Sequence, residues 1–474
     1  MSFLTDAATV ASALDEYHRE AENREQPVVN QPPLAELVDR LDLAYYAENG
    51  GLADEALAQF IAKYLPATTR LHHPGYMAHQ VAVTHYAGAL GSLIDGFTNN
   101  AMAIYEMGPA AASIEYFVIN WMLAKVGWKP APYQAGRNVG EIHGGGVLTH
   151  GGSLANLTVL TAARSHVAPE VWDDGNPGDL AVLAPRDCHY SIARAAGILG
   201  IGQKALYELE TDARGVIIPD RLPAAYARVC SEGKRIVALV ANAASTAVGL
   251  YDPLHEIGTF CREESLWFHV DGAHGASALL SERYRELLRG VELADSLVWD
   301  THKFLRTPTL CAAVLVRDAA TLDRAFTQEA SYLFHDKAQP GIDLIHRTVE
   351  CTKAGLGLRF FLVLGALGER GLAEYVDSRV DLAADAYRYI HALPDFECAV
   401  EPQSNILCFR VKGLTDEAQL ALRDALDASG HFYISTTLFA GKRYLRLSLM
   451  HPHTNMDDIR RLIAEVYQLV DNNG

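Results

Sequence analysis

The chain has 474 residues, and 40 Lys and Arg against 58 Asp and Glu give a formal net charge of −18 at pH 7. This acidic balance argues against a protein that binds the phosphate backbone of a nucleic acid, because such a protein needs a basic face. Hydrophobic residues make up 49% of the chain and charged residues 21%. That composition is typical of packed globular domains and excludes disorder for most of the chain.

The sequence predicts neither a membrane span nor an export signal. Its longest apolar stretches, such as 236–241 and 310–316, are far shorter than the roughly 20 residues that cross a bilayer. Acidic residues near the N-terminus, including Asp6 and Asp15, precede any long apolar run, which is the wrong order for a secretory leader. The seven cysteines are scattered without a CxxC pair, as in proteins of a reducing compartment. We therefore expect a cytoplasmic protein with no membrane or nucleic-acid partner.

The pattern of apolar runs divides the chain into three parts. Residues 1–75 are predicted to form a helical segment, residues 76–355 a large α/β domain and residues 356–474 a small α+β domain. In the large domain, short continuous apolar runs alternate with helix-compatible segments, which indicates a mostly parallel sheet buried on both faces. These runs are DLAVLA, RIVALVA, LWFHV, DSLVW and LCAAVLV. The small domain offers the strand candidates ECAVE, NILCFRV and RYLRLSLM, with a predicted helix over 416–429.

Polar residues with chemical potential follow the predicted strands of the large domain. His189 follows the first strand, Thr246 the second, Asp271 the third and Lys303 the fourth. Ligands of a parallel sheet bind beyond the carboxyl ends of its strands. An imidazole, a hydroxyl, a carboxylate and an amine are therefore expected to share one edge of the sheet.

A glycine-rich stretch lies upstream of these strands. In GGGVLTHGGSLANL, Gly152 and Ser153 stand at the start of a predicted helix. The free N–H groups and the positive dipole end of a helix start favour an anion, so this stretch is a candidate phosphate cradle. It matches neither the P-loop pattern nor the dinucleotide fingerprint. An anion cradle, a lysine and a carboxylate are together what pyridoxal phosphate requires of a protein.

Three of these stretches resemble the group II pyridoxal-phosphate amino-acid decarboxylases: HVDGAHGAS, ADSLVWDTHKFL with CAAVLVRD after it, and VLTHGGSLANL. NNAMAIYEMGPAAASIE and HHPGYMAH extend the resemblance, which runs from about His72 to the C-terminus and is nearest to the glutamate and cysteine sulfinate decarboxylases. It implies an α/β protein of PLP fold type I, the aspartate-aminotransferase-like fold, with a small α+β C-terminal domain. It also implies a carboxy-lyase that uses pyridoxal 5′-phosphate to convert an L-amino acid into an amine and CO2. Family members are homodimers with active sites at the subunit interface.

The resemblance also implies residue roles. Lys303 would form the internal aldimine with the cofactor, Asp271 would pair with the ring nitrogen, and His189 would stack on the ring. The other implied contacts are Gly152, Ser153 and the backbone of His302 at the phosphate, Thr246 at the cofactor edge, and His79 and Arg446 at the substrate. The same branch favours an acidic or small polar amino acid as substrate.

Three departures from the family pattern bear on the reaction. His150 stands where the family usually has a small or hydroxyl residue, and Asp300 where an Asn is common. Family decarboxylases commonly carry a loop tyrosine that protonates the quinonoid, but GIDLIHRTVECTK has none; it offers His346 and Leu344, and Tyr332 is the only tyrosine nearby. An oxidative deaminase that makes an aldehyde, a carbon–carbon lyase and a non-catalytic cofactor-binding protein therefore stay open as alternatives.

Two other interpretations concern histidines. Imidazole is a common zinc ligand, although the spacing of four nearby histidines matches no metal motif: His72, His73, His79 and His85. Cys188 beside His189 suggests a thiol–imidazole nucleophile, but adjacent residues of an extended segment point in opposite directions.

Overall fold

The computed structural model describes residues 2–133, 142–326 and 341–473. The chain divides into two compact units. The small unit consists of Met1–His79, Leu382–Glu401 and Ile406–Gly474, and the large unit of Gln80–Asp381 and Pro402–Asn405. The three-part division expected from the sequence stays a prediction.

The strands of the large unit are β1 (Gly145–Thr149), β2 (Leu180–Pro185), β3 (Leu206–Leu209), β4 (Arg235–Asn242), β5 (Phe268–Asp271), β6 (Ser296–Asp300) and β7 (Ala312–Val316). They form one sheet in the order β1-β7-β6-β5-β4-β2-β3. Strands β3, β2, β4, β5 and β6 pair in parallel, whereas β7 is antiparallel to both of its neighbours. The expected mostly parallel central sheet is confirmed.

The strands of the small unit are β8 (Phe396–Cys398), β9 (Ile406–Val411), β10 (Ser435–Phe439) and β11 (Lys442–Ser448). They form an antiparallel sheet in the order β10-β11-β9-β8. The last helix of the chain buries Ile459, Leu462, Ile463 and Val466 in the same hydrophobic cluster as the inward side chains of this sheet. The expected small α+β domain is confirmed.

The helices, in chain order, are α1 (Phe3–Glu22), α2 (Leu34–Arg40), α3 (Leu43–Asn49), α4 (Asp54–Tyr64), α5 (Tyr86–Thr98), α6 (Pro109–Val126), α7 (Gly152–Val167), α8 (Val171–Asp174), α9 (Tyr190–Ile198), α10 (Leu222–Ser231), α11 (Leu254–Glu263), α12 (Thr301–Phe304), α13 (Ala320–Phe326), α14 (Leu356–His391), α15 (Asp416–Ser429) and α16 (Met456–Asn473). Gly368 interrupts α14 with a φ of 67°, a backbone conformation that favours glycine. Within the described ranges, no helix is long and apolar enough to span a membrane.

Continuous apolar runs form the central strands because the large sheet is covered on both faces. Along β2, Ala181 and Leu183 belong to one hydrophobic cluster, and Val182 and Ala184 belong to another. Successive side chains of a strand point to opposite faces, so both faces of β2 are buried. Because both faces of the central strands are buried, polar side chains that face a ligand are expected at the ends of the strands.

A buried ion pair fixes the end of β1, just before the glycine-rich turn. The Glu115 carboxylate accepts the backbone N–H of Leu148 at 2.9 Å, and the Lys353 ammonium donates to the carbonyl of Leu148. Lys353 Nζ lies 3.4 Å from Glu115 Oε1, and both side chains are fully buried. Burial raises the pKa of Glu115, and the charge of Lys353 opposes this effect. The two side chains satisfy both backbone groups of Leu148, which sets the position of the chain that follows.

Candidate active site

A cavity opens at the carboxyl ends of β4, β5 and β6. Its walls include five residues predicted from the sequence, namely Gly152, His189, Thr246, Asp271 and Lys303, and five that were not, namely Asn156, Asn242, Ala244, Ala273 and His274. The expected edge of the sheet therefore carries the expected amine, carboxylate, imidazole and hydroxyl in one cavity.

Asp271 is the last residue of β5 and is 7% exposed. Its Oδ2 accepts a hydrogen bond from Asn156 Nδ2 at 3.0 Å, and its Oδ1 accepts the backbone N–H of Ala273 at 3.2 Å. Each carboxylate oxygen thus has one neutral hydrogen-bond donor. The carboxylate is held in place where a cationic ring nitrogen could pair with it.

His189 is the N-cap residue of α9 and lies in the wall of the same cavity. Its Nδ1 accepts the backbone N–H of Ser191 at 3.3 Å and lies 2.7 Å from Ser191 Oγ. Burial lowers the pKa of His189, although the nearby Asp271 carboxylate acts in the opposite direction. The imidazole is therefore neutral near pH 7, and its flat ring suits packing against a heterocycle.

The thiol–imidazole interpretation of Cys188 and His189 is not supported by the local chemistry. Burial raises the pKa of the Cys188 thiol to about 12, so the nucleophilic thiolate is scarce at neutral pH. The imidazole nitrogen that could act as its base is already bonded to Ser191.

Lys303 lies on the short helix α12 directly after β6, and its nearest anion is Asp300. Lys303 Nζ is 3.4 Å from Asp300 Oδ2, and His302 Nε2 is 3.6 Å from the same oxygen. Asp300 is 1% exposed, and neither of its carboxylate oxygens has a hydrogen-bond donor among the described residues. The Lys303 ammonium is thus the nearby positive charge that compensates this buried carboxylate, and the His302 ring lies close to the same oxygen.

The glycine-rich turn enters α7 beside Asp300. Gly151 precedes the helix with a φ of 103°, and a Cβ atom on Gly152 would lie 2.8 Å from Asp300 Oδ2. Any side chain at position 152 would therefore fill the space at the helix start. Ser153 is the second residue of α7, and the amide of His302 already donates to the carbonyl of Cys311 at 3.2 Å.

His150 adds a side-chain hydrogen bond to this turn. Its Nδ1 lies 2.5 Å from Glu350 Oε1, and Glu350 is only 16% exposed. The contact ties the residue before Gly151 to the segment that carries Glu350. The side chain that departs from the family pattern thus lies against its own acidic partner.

The two proposed substrate contacts belong to the small unit. Arg446 on β11 is 7% exposed, and its Nη1 lies 3.3 Å from the carbonyl of Ala78 and 3.4 Å from Ser435 Oγ. His79 Nε2 lies 3.4 Å from the hydroxyl of Tyr433. Burial and the positive charges of Arg446 and Arg423 lower the pKa of His79, so this part of the small unit is electropositive.

The zinc interpretation of the clustered histidines is not supported. Among the residues that the structure describes, the group of three potential metal ligands is a different one, formed by Glu22, His451 and His453. His451 Nδ1 accepts the backbone N–H of His453 at 3.1 Å, which puts the ring proton on Nε2, 2.9 Å from the carbonyl of His72. Both ring nitrogens of His451 are thus engaged in hydrogen bonds. A metal-ligating histidine instead offers one ring nitrogen to the metal and donates a hydrogen bond from the other.

Two residues of GIDLIHRTVECTK stand near the place of the family tyrosine, Leu344 and His346, and both lie in the short helical turn Leu344–Arg347. Leu344 is 1% exposed and packs with Met102 and Ala112 in a small hydrophobic cluster. Tyr332 lies outside the described residues. The packing of Leu344 removes it from consideration as a group that faces a ligand.

The cavity fits pyridoxal 5′-phosphate with one exception. Asp271 suits the ring nitrogen, His189 suits the ring face, Lys303 suits the aldehyde, and the start of α7 at Gly152 suits the phosphate. The exception is Asp300, because a carboxylate beside Gly152 opposes a phosphate at the same helix start. The donor set as a whole nevertheless defines a lysine-linked cofactor site of the pyridoxal class.

Comparison with known proteins agrees with this class. The family model "Pyridoxal-dependent decarboxylase conserved domain" matches residues 47–412. The chain is 30% identical over 412 residues to the acidic amino acid decarboxylase GADL1 of Bos taurus, covering 86% of this chain and 76% of the relative. It is 27% identical over 443 residues to the L-2,4-diaminobutyrate decarboxylase of Acinetobacter baumannii, covering 89% and 84%. The crystal structure of mouse CSAD superposes with a TM-score of 0.87 at 26% identity, covering 99% of each chain.

The chain belongs to the pyridoxal-dependent decarboxylase family. Its cofactor is pyridoxal 5′-phosphate, and its activity is the decarboxylation of an amino acid, which makes it a carboxy-lyase. The family, fold, cofactor and reaction expected from the sequence are therefore confirmed. The roles of individual residues stay predictions.

Sequence reasoning missed Asn156, which contacts Asp271 directly. A signal for it exists, because Asn156 stands four residues after Gly152 on α7. Residues four apart on a helix share a face. A polar residue one turn after the glycine start is therefore expected to face the same cavity.

We predict that Asp300→Asn binds pyridoxal 5′-phosphate more tightly than the wild type. The substitution removes a negative charge beside the phosphate cradle and a counter-ion of the Lys303 ammonium, and both changes favour the bound state. We expect roughly a tenfold lower Kd, about 1.4 kcal/mol, in equilibrium dialysis at pH 7.5. Asp318→Asn, which removes a surface charge from the large unit, is the control and should change the Kd less than about twofold. A weaker affinity of Asp300→Asn would show instead that the carboxylate helps to hold the cofactor.

Proposed function

We propose that Lys303, Asp271 and His189 are the residues that hold the cofactor while this enzyme decarboxylates an L-amino acid to the corresponding amine. The observation that supports the proposal is that their amine, carboxylate and imidazole line one cavity at the carboxyl ends of parallel strands. These three groups match the aldehyde, the ring nitrogen and the ring face of the cofactor. Thr246 contributes to the same wall, where we propose that it contacts the cofactor edge.

When bound, pyridoxal 5′-phosphate supplies a cationic ring that accepts the electron pair released as the substrate loses its carboxylate. The protein's own groups keep this acceptor effective. The Asp271 carboxylate holds a proton at the ring nitrogen, since an anion within contact distance raises the pKa of a cationic acid. The neutral His189 ring covers the ring face without adding positive charge, and Gly152 and Ser153 orient the phosphate at the start of α7.

Replacement of Lys303 tests this assignment. The rate of CO2 release should fall by at least about 1,000-fold in Lys303→Ala, because the lysine amine that binds the aldehyde is removed. Borohydride reduction of the wild-type enzyme should label Lys303, as identified by peptide mass spectrometry. Lys125→Ala, which removes a lysine paired with Glu369 at the surface, serves as the control and should keep full activity.

The same assay should measure amine, aldehyde, ammonia and peroxide together. One amine per CO2 is expected from a decarboxylase, whereas equal amounts of aldehyde and ammonia with peroxide would identify an oxidative deaminase. The observation that keeps this second candidate open is the absence of tyrosine from GIDLIHRTVECTK. Activity and borohydride labelling that both survive in Lys303→Ala would overturn the proposed role of this lysine.

We further propose that the substrate is an acidic or small polar amino acid, bound through Arg446 and His79. Support comes from the relative GADL1, an acidic amino acid decarboxylase, and from the positive charges of Arg446 and Arg423 that act on His79. The match to a diaminobutyrate decarboxylase makes a diamino acid the competing substrate class. A guanidinium is permanently charged and binds a carboxylate through two parallel hydrogen bonds.

Arg446→Met is expected to raise KM for an acidic amino acid by about 10- to 100-fold with a smaller change in kcat, because a charged hydrogen bond to the substrate is lost. Arg443→Met is the matched control, because Arg443 lies on the opposite face of β11 and donates to Thr436 Oγ1. The panel of substrates should contain aspartate, glutamate, cysteine sulfinate and 2,4-diaminobutyrate. Preference for the diamino acid, or an unchanged KM in Arg446→Met, contradicts the proposal.

We propose that the enzyme is a homodimer and that α5 forms part of the interface. Its large apolar side chains follow a helical stripe and are exposed by between 45% and 72%: Tyr86, Leu90, Leu93, Ile94 and Phe97. The opposite face of the helix buries Ala87, Gly88, Gly91 and Asp95. A continuous apolar stripe of this kind is typical of a surface that a partner covers. A second copy of the chain agrees with the family resemblance.

The double substitution Leu90→Glu with Phe97→Glu should convert the dimer into a 51.7 kDa monomer in sedimentation velocity, because two charges would be buried in the apolar interface. Leu420→Glu places the same charge at an isolated exposed leucine on α15 and should leave the dimer intact. A wild-type monomer, or a dimer that survives the double substitution, argues against this interface.

We propose a reducing, cytoplasmic location. All seven cysteines are free thiols. Cys261, Cys311 and Cys408 are buried, and their burial strongly raises the pKa of each thiol. Unreactive, unpaired cysteines are typical of proteins of a reducing compartment.

A further inference from the structure

Asn156 lies between the two residues proposed to flank the cofactor ring. It is 1% exposed on α7, and its Nδ2 donates to Asp271 Oδ2 at 3.0 Å and to Ser191 Oγ at 2.8 Å. Ser191 Oγ in turn lies 2.7 Å from His189 Nδ1. One amide nitrogen therefore connects the carboxylate at the end of β5 with the imidazole at the start of α9.

The charge of Asp271 determines which way the Asn156 amide points. A carboxylate oxygen is only an acceptor, so the group 3.0 Å away must be the NH2 of the amide and not its carbonyl. Both hydrogens of this NH2 are then committed, one to Asp271 and one to Ser191 Oγ. Because Ser191 Oγ accepts from Asn156, its own hydroxyl proton is free to donate to His189 Nδ1.

The carbonyl oxygen of the Asn156 amide is held by a hydrogen bond to His269. Asn156 Oδ1 lies 3.0 Å from His269 Nε2, His269 Nδ1 lies 3.0 Å from Ser296 Oγ, and Trp267 Nε1 donates to Ser296 Oγ at 2.9 Å. Burial lowers the pKa of His269 to about 4, so its ring is neutral and carries one proton. That proton must lie on Nε2, because Asn156 Oδ1 can only accept. Every donor in this buried row then has an acceptor.

We propose that Asn156 is a positioning residue that holds the Asp271 carboxylate in place and sets the His189 ring with its proton on Nε2. Its two N–H bonds act on both residues at once, directly on Asp271 and through the Ser191 hydroxyl on His189. A cofactor ring between them then meets one negative and one neutral side chain. This inference rests on the roles proposed above for Asp271 and His189. The hydrogen bonds described for Asn156 go to Asp271, Ser191 and His269, and not to Lys303 or Asp300.

Other charged groups also act on this pair. Asp271, Lys303, Asp300 and Arg194 all influence the protonation of His189. Of these groups, only Asp271 is bonded to the Asn156 amide in the contacts described above, and a substitution at position 156 leaves the side chains of Lys303, Asp300 and Arg194 in place. A change in the protonation of the cofactor ring on replacement of Asn156 is therefore attributable to the amide.

The probe for the test is 4′-deoxypyridoxine 5′-phosphate, which lacks the aldehyde and so cannot bond to Lys303. Its ultraviolet spectrum reports whether its ring nitrogen carries a proton. Asn156→Ala should weaken binding of this analogue by about 10- to 100-fold, because a hydrogen bond to a charged group is lost. It should also lower the pH at which the bound analogue loses its ring proton. Ser191→Ala should leave that pH unchanged, because the bond between Asn156 and Asp271 is retained.

Asn120→Ala is the matched control. Asn120 is also a buried amide of the large unit, 4% exposed, but its two bonds go to the backbone of Ala131 at 2.9 Å each. Asn120→Ala should lose about as much folding stability as Asn156→Ala. It should change neither the affinity for the analogue nor the pH at which the bound analogue loses its ring proton. If Asn156→Ala does not fold, Asn156→Ser, which keeps one hydroxyl donor, gives the same comparison.

The outcomes separate this inference from the proposed function. An Asn156 variant that matches Asn120→Ala in both readouts overturns the role of Asn156 and leaves the cofactor site intact. A wild-type enzyme that does not bind the analogue overturns the roles of Asp271 and His189, and the inference with them.

Discussion

The hydrogen bonds that fix the Asp271 carboxylate at the end of β5 are the interaction on which the proposed site depends. Two neutral donors, Asn156 Nδ2 and the Ala273 N–H, bind the carboxylate, one at each oxygen. Neutral donors keep the negative charge available for a cationic ligand, whereas an arginine or lysine partner would cancel it.

The glycine-rich turn is held in place by groups that do not line the cavity. Glu115 and Lys353 satisfy the N–H and the carbonyl of Leu148 near the end of β1, and His150 pairs with Glu350 one residue before the turn. Removal of one partner of a buried pair leaves the other charge uncompensated, which is strongly destabilising. The start of α7 is therefore anchored on its β1 side by electrostatic contacts.

Much of the fold follows from patterns in the sequence, and the exceptions have physical reasons. Continuous apolar runs identified β2, β4, β5, β6 and β7, because strands covered on both faces exclude polar residues. Strand β1 begins with two glycines, and β3 is partly exposed, so neither forms a distinct apolar run. Strand β10, which reads Ser-Thr-Thr-Leu-Phe, is mostly polar and pairs only with β11. The residues that follow strands were predictable, but Asn156 is on a helix and its contact depends on three-dimensional packing.

Two adjacent strands of the sheet end in aspartates that the protein treats differently. Asp271 on β5 has neutral hydrogen-bond donors, whereas Asp300 on β6 has none among the described residues and lies near the Lys303 ammonium and the His302 ring. The two donors of Asp271 are independent of Lys303, whereas Asp300 lies 3.4 Å from the amine that we propose binds the cofactor. Asp300 stands where an amide is common in the family. Its carboxylate lies beside both Gly152, at the proposed phosphate end of the cavity, and the Lys303 amine, so its charge acts on both groups.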